Sequence, residues 1–113
     1  MHDSKNIFQL GTYLDLLAHQ NPQMRILEVG AGTGSMTDIM LGYLGRGDDN
    51  PTERRYSQWD YTDISRSFFG EAQDTFHEEG ERMQFHSLDI GKDPEAQGFE
   101  CGTYDVVVAA MVN

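Results

Sequence analysis

The chain alternates between apolar stripes at helical spacing and short, nearly continuous apolar runs. Ile7, Leu10, Leu14 and Leu17 recur at helical period with Tyr13 beside them, and Asn21-Pro22 stops the pattern, which predicts a lead-in helix within residues 1–22. Its ordinary role is packing beside a sheet. Asn6-Ile7-Phe8-Gln9 offers a second role as cover for one side of a cleft. A strand follows over Met24 to Val29. Met36, Ile39, Met40, Tyr43 and Leu44 then fall on one face of a helix that Gly45 ends, and Arg46 to Arg55 reads as a polar surface loop. The second strand, Tyr56 to Thr62, is less apolar than an interior parallel strand should be, although Trp59 and Tyr61 favour extended backbone. After it, Ser65 is placed to cap a helix, with Ile64 stapled onto Phe69. Phe68, Phe69, Ala72 and Phe76 face inward, and Gly80 closes the helix. The third strand runs from Arg82 to Leu88. Lys92 to Gly102 is a loop with about one helical turn, and Tyr104 to Val112 is the fourth strand. Strands alternating with helices predict a parallel α/β sheet, whose ligands bind at the carboxyl rim.

The first strand runs directly into Glu28-Val29-Gly30-Ala31-Gly32-Thr33-Gly34-Ser35. Glycines at alternate positions permit torsions closed to other residues and let a ligand approach without meeting a Cβ, just where a helix begins with unpaired N–H groups. A dinucleotide fingerprint would end in Gly or Ala where this chain has Ser35, and Glu28 would repel a pyrophosphate. The pattern Glu-x-Gly-x-Gly-x-Gly instead resembles the first motif of class I S-adenosylmethionine-dependent methyltransferases. The cofactor of that family carries an amino group and a sulfonium, which suit a nearby carboxylate. A dinucleotide site, or a glycine turn with no ligand, are the alternatives that the motif leaves open.

Two further acids fall at strand ends. Asp63, after strand two, can accept both hydroxyl hydrogens of a ribose, or it can support the turn and helix cap beside it. Asp89, after strand three, can accept from an adenine amine, or form a turn before Ile90-Gly91. The formal charge of −11, from 19 acidic and 8 Lys or Arg residues, argues against nucleic acid or an anionic membrane as partner. Cys101 is the only cysteine, and neither a signal peptide nor a long apolar span is visible, so a cytoplasmic setting is expected. His2, His19, His77 and His86 show neither metal-ligand spacing nor a nucleophile context.

Taken together, Asn6 to Gln9, Tyr13 to Leu17, Arg25 to Gly34, Tyr61-Thr62-Asp63-Ile64-Ser65 with Phe68-Phe69, Leu88-Asp89-Ile90 and Tyr104 to Val112 resemble the C-methyltransferase domain of fungal highly reducing polyketide synthases. The resemblance implies a Rossmann-like sheet of order 3-2-1-4 with flanking helices. Residues 1–113 would be one incomplete domain, cut after about four strands, with cofactor-binding units over 23–113. It implies S-adenosylmethionine as cofactor, held by Glu28, Gly30, Ala31, Gly32, Gly34, Asp63, Ile64, Asp89 and Ile90. It also implies, as substrate, an acyl chain held as a thioester on an acyl carrier protein, methylated at the α-carbon, and a larger synthase around the domain. Where the family continues toward its catalytic histidine, this chain reads Ala109-Ala110-Met111-Val112-Asn113, so no catalytic residue is assigned. Carbon methylation needs a base to form an enolate and a donor to stabilise it. A cofactor-binding module without catalysis, and part of a dinucleotide-dependent oxidoreductase, are the competing functions.

Overall fold

The computed structural model describes residues 4–45 and 54–109, and the side chains within them except those of residues 4–10 and 101. The side chains of Asn6 to Gln9, the loop over residues 46–53, the thiol of Cys101 and the end of strand four beyond Ala109 lie outside the described residues. Helix α1 (Ser4–Gln20) leads into β1 (Arg25–Val29), then α2 (Ser35–Tyr43) and β2 (Gln58–Asp63). A single 3₁₀ turn at Arg66–Phe68 opens α3 (Phe69–Thr75). A longer 3₁₀ segment, His77–Arg82, then enters β3 (Met83–Ser87), and β4 (Val106–Ala109) comes last. All strand pairs are parallel in the order β3-β2-β1-β4, as expected from the sequence.

Strand alternation divides the core in two. Ile26, Trp59, Tyr61, Met83 and Val108 pack with Leu14, Ala18, Met40, Leu41 and Leu44 on the helical side, joined by Phe69, Ala72 and Phe76. Leu27 and Val29 face the other way and meet Leu88 and Phe99, with Tyr104 beside them. The turns at Glu95–Gln97 and Cys101–Thr103 lie in the segment that carries Phe99 and Tyr104 toward that second layer.

Several expectations need correction. The buried face of α2 is Thr37, Met40 and Leu41, rather than one that includes Ile39, which is exposed. Thr37 turns inward because its hydroxyl donates to Glu28 at 2.5 Å, a bond that favours burial of a polar side chain. The staple between Ile64 and Phe69 does not form: Phe69 is buried, whereas Ile64 is 67% exposed. Helix α3 ends at Thr75 rather than at Gly80, which instead supplies a left-handed residue (φ 63°) inside the following 3₁₀ segment.

The end of the presumed surface loop is not surface. Arg54 is buried and forks onto Glu79, with Nε–Oε1 at 2.9 Å and Nη2–Oε2 at 3.0 Å. The Tyr56 hydroxyl donates to the same carboxylate, so the residues before β2 are core. Helices α1 and α2 approach so closely that a Cβ on Gly11 would lie 2.1 Å from the Tyr43 ring. That contact explains a glycine in the interior of a helix.

Candidate functional site

The glycine turn sits at the carboxyl ends of β1 and β2. Gly30, Gly32 and Gly34 all adopt positive φ, at 70°, 57° and 89°, so each meets a backbone demand that side-chain-bearing residues resist. Their surroundings differ. A Cβ on Gly34 would lie 2.7 Å from the Phe76 ring and 3.1 Å from the Tyr61 hydroxyl, so Gly34 also serves core packing. Among the described residues a Cβ on Gly32 would meet nothing nearer than Asp63 Oδ2 at 3.9 Å, so the space above Gly32 is open to them.

Strand β2 holds the turn from below. The Ala31 N–H donates to the Thr62 carbonyl at 2.9 Å, and the Thr62 hydroxyl donates to the Glu28 carbonyl at 2.6 Å. Asp63 spans two backbone donors: Oδ2 accepts from the Gly32 N–H at 2.8 Å, and Oδ1 accepts from the Ser65 N–H at 3.0 Å. The turn-supporting role considered for Asp63 is therefore real. It leaves each oxygen with a further lone pair at the rim, so ligand binding is not displaced by it.

Glu28 is placed differently from a rim carboxylate. It is fully buried on the helical side of the sheet, and Oε1 accepts from Thr37 and, at 3.1 Å, from the Trp59 indole. Oε2 has no hydrogen-bond partner among the described residues. Burial pushes the carboxyl up to about 7, against the opposing effect of the Thr37 and Trp59 hydrogen bonds. Asp89 is half-buried and forms a turn: its Oδ1 accepts from the Gly91 N–H at 3.0 Å, while Gln97 clamps its backbone N–H and carbonyl, both at 2.9 Å. Ile64 and Ile90, each just after one of these acids, are 67% and 62% exposed. Two large aliphatic residues left in water at one rim form a surface that an apolar ligand face would cover.

The sheet's second face carries a separate cluster that sequence reasoning missed. Asp60 is buried, accepts from Gln58 Nε2 at 2.9 and 3.1 Å and from the Tyr104 hydroxyl, and lies 4.0 Å from His86 Nε2. A cavity of about 390 Å³ adjoins it, with Arg25, Arg66 and Phe99 among its walls. The acid and the tyrosine are 44 residues apart in the chain, and nothing in the local pattern of either signals the pair. Among the described residues, no three His, Cys, Asp or Glu side chains gather into a metal site. No described helix is long and apolar enough to cross a membrane.

No protein-family model matches the chain. Over 104 residues it is 45% identical to the highly reducing polyketide synthase azaB of Aspergillus niger, covering 92% of this chain and 4% of that protein. Over 105 residues it is 49% identical to the highly reducing polyketide synthase resH of Aspergillus sclerotiorum, with the same coverages of 92% and 4%. The chain thus spans about 4% of the length of these curated relatives. Among solved structures, the trans-methyltransferase CalH, crystallised in complex with SAH, superposes with a TM-score of 0.81 at 41% identity, over 90% of this chain and 27% of that one. The CurJ carbon methyltransferase gives a TM-score of 0.66 at 38% identity, over 81% of this chain and 22% of its own.

Proposed function

We propose that this chain, which belongs to the class I S-adenosylmethionine-dependent methyltransferases, supplies the cofactor-binding part of a carbon-methylating domain in a polyketide synthase. The observation that carries the reading is the open space above Gly32, bordered by the Asp63 carboxylate. A glycine that packing does not require, at the carboxyl rim of a parallel sheet, fits a ligand that lies against the backbone. A dinucleotide reading gains nothing from the structure, and the similar solved proteins are named as methyltransferases.

In this reading S-adenosylmethionine supplies an electrophilic methyl group when bound. Gly30, Ala31, Gly32 and Gly34 shape the backbone against which it rests. Asp63 accepts from the ribose hydroxyls with the lone pairs that Gly32 and Ser65 leave free, and Asp89 accepts from the adenine amine. Ile64 and Ile90 would bury their exposed surface against the bound cofactor. At about 25 cal/mol per Å² of apolar area removed from water, such cover gives affinity without directional bonds. Glu28 acts from beneath, fixing the start of α2 through Thr37. These residues bind and orient, and none is assigned to proton removal.

The substrate we propose is a β-ketoacyl thioester on an acyl carrier protein, presented inside a larger synthase in the cytoplasm. That the curated relatives are named as polyketide synthases supports it. Calorimetric titration of the chain with S-adenosylhomocysteine is expected to give saturable one-site binding, and titration with NAD none. Binding of NAD alone would overturn the reading. Asp63→Ala is expected to weaken S-adenosylhomocysteine by about 1.5 to 3 kcal/mol, the range for hydrogen bonds to a charged group. Unchanged affinity would remove Asp63 from the ribose site. For the substrate, methyl transfer to a β-ketoacyl carrier-protein thioester is measured in the synthase that contains this chain, and an acyl product left unmethylated refutes it.

A further inference from the structure

The four hydrogen bonds that tie the turn to β2 are not equivalent. That of the Ala31 N–H is backbone to backbone, and those of the Glu28 carbonyl and the Gly32 N–H use the short side chains of Thr62 and Asp63, whereas the fourth comes from the long side chain of Tyr61, whose ring lies in the core. The Tyr61 hydroxyl donates to the Gly32 carbonyl at 2.5 Å. Tyr61 is fully buried, with its ring against Phe85 at 5.1 Å and Phe69 and Phe76 at 6.2 Å between centroids. It cannot follow the turn if the turn moves.

We propose that Tyr61 is a positioning residue for the cofactor, holding the Gly32–Thr33 peptide so that its N–H faces the ligand. The inference rests on the cofactor reading above. In a trans peptide the carbonyl and the next N–H point in opposite directions. No cis peptide is present among the described residues, so a Gly32 carbonyl drawn down toward Tyr61 directs the Thr33 N–H up and outward, where Thr33 is exposed. No acceptor among the described residues takes that N–H. Gly32, with φ 57° and no Cβ, could otherwise rotate this peptide at little cost, which would turn a carbonyl toward the ligand in place of a donor. Asp63 fixes the peptide on the N-terminal side of Gly32, and Tyr61 fixes the one that follows. Burial raises the Tyr61 hydroxyl above its ordinary range, so it stays a donor throughout the physiological span.

The test compares Tyr61→Phe, which keeps the ring and removes the hydroxyl, with Phe85→Leu, which loosens the same aromatic cluster without touching the turn. S-adenosylhomocysteine affinity is read by calorimetry and fold by thermal melting and far-UV circular dichroism. Tyr61→Phe is expected to bind about threefold to tenfold more weakly, the scale of one hydrogen bond. Phe85→Leu is expected to melt earlier yet bind within about twofold of the parent, by the same scale. Parent-like affinity in Tyr61→Phe overturns the inference, as does an equal loss in Phe85→Leu, which would make the effect one of stability. If the parent itself does not bind S-adenosylhomocysteine, the cofactor reading fails, and the inference with it.

Discussion

Replacing Glu28 with Gln should remove a large part of the pH dependence of folding. The carboxyl is fully buried and its ordinary value of 4.5 rises to about 7 in the fold, because burial penalises the charged form more than Thr37 and Trp59 stabilise it. A group whose value is raised on folding contributes stability that is complete below its unfolded value and is lost as pH rises through its folded value. Across the whole shift this amounts to about 3 kcal/mol, at 1.36 kcal/mol per unit. A chain of formal charge −11 approaches neutrality in more acid buffers and loses solubility, so pH 5.5 to 8.5 is the practical window. About 2 kcal/mol of the loss falls within it. Urea unfolding of parent and Glu28→Gln at several pH values gives the difference between the two stabilities. The amide can still accept from Thr37 and Trp59, but its NH₂ brings unsatisfied donors of its own, a cost that does not vary with pH. The difference is therefore expected to move by about 2 kcal/mol in favour of Gln between the two ends of the window. A constant difference would show that Glu28 is ionised in the fold at all these pH values, and the assigned effect of burial would be wrong.

The middle and last glycines of the turn should separate binding from folding. Gly34→Ala drives a methyl to 2.7 Å from Phe76 at φ 89° and is expected to cost about 1 to 3 kcal/mol in urea unfolding, whereas Gly32→Val should abolish S-adenosylhomocysteine binding while circular dichroism still reports a folded chain. Glu79→Ala leaves the buried Arg54 without its partner and the Tyr56 hydroxyl without its acceptor, with an expected loss of about 3 to 5 kcal/mol. A loss below about 1 kcal/mol would place Arg54 in water rather than in the core.

How much of this was legible in the sequence follows from the range of the forces involved. Strand order and the glycine turn were readable because period and glycine spacing are local properties of the chain. The inward rotation of α2 was not, since Thr37 is polar and becomes a core residue only because Glu28 lies 9 positions away in sequence and 2.5 Å away in space. Arg54 looked like loop for the same reason: a guanidinium reads as surface until its carboxylate, 25 residues on, is placed beside it. The turn-holding duties of the two acids were among the alternatives the sequence offered, and the structure shows both. Asp63 and Asp89 both hold turns, which composition cannot distinguish from holding a ligand.

Strand β2 accounts for its own polarity once its two faces are read separately. Trp59, Tyr61 and Asp63 share a parity and lie on the helical side, toward which the chain turns after β1 to enter α2. Each reaches the β1 unit at a different height: Trp59 donates to Glu28, Tyr61 donates to the Gly32 carbonyl, and Asp63 accepts from the Gly32 N–H. Asp60 has the opposite parity and takes Gln58 and Tyr104 on the second face. An interior parallel strand is ordinarily apolar because it has nothing to bond but its neighbours' backbone. Here the neighbour is a turn whose carbonyl and N–H groups are exposed to β2, and polar side chains at alternate positions satisfy them. The register of β2 against β1 is therefore fixed twice, by core packing and by these bonds. A slip of one residue would bury Asp60 beneath the glycine turn and carry Tyr61 and Asp63 to the opposite face, so the same pairing that completes the sheet also sets the candidate site.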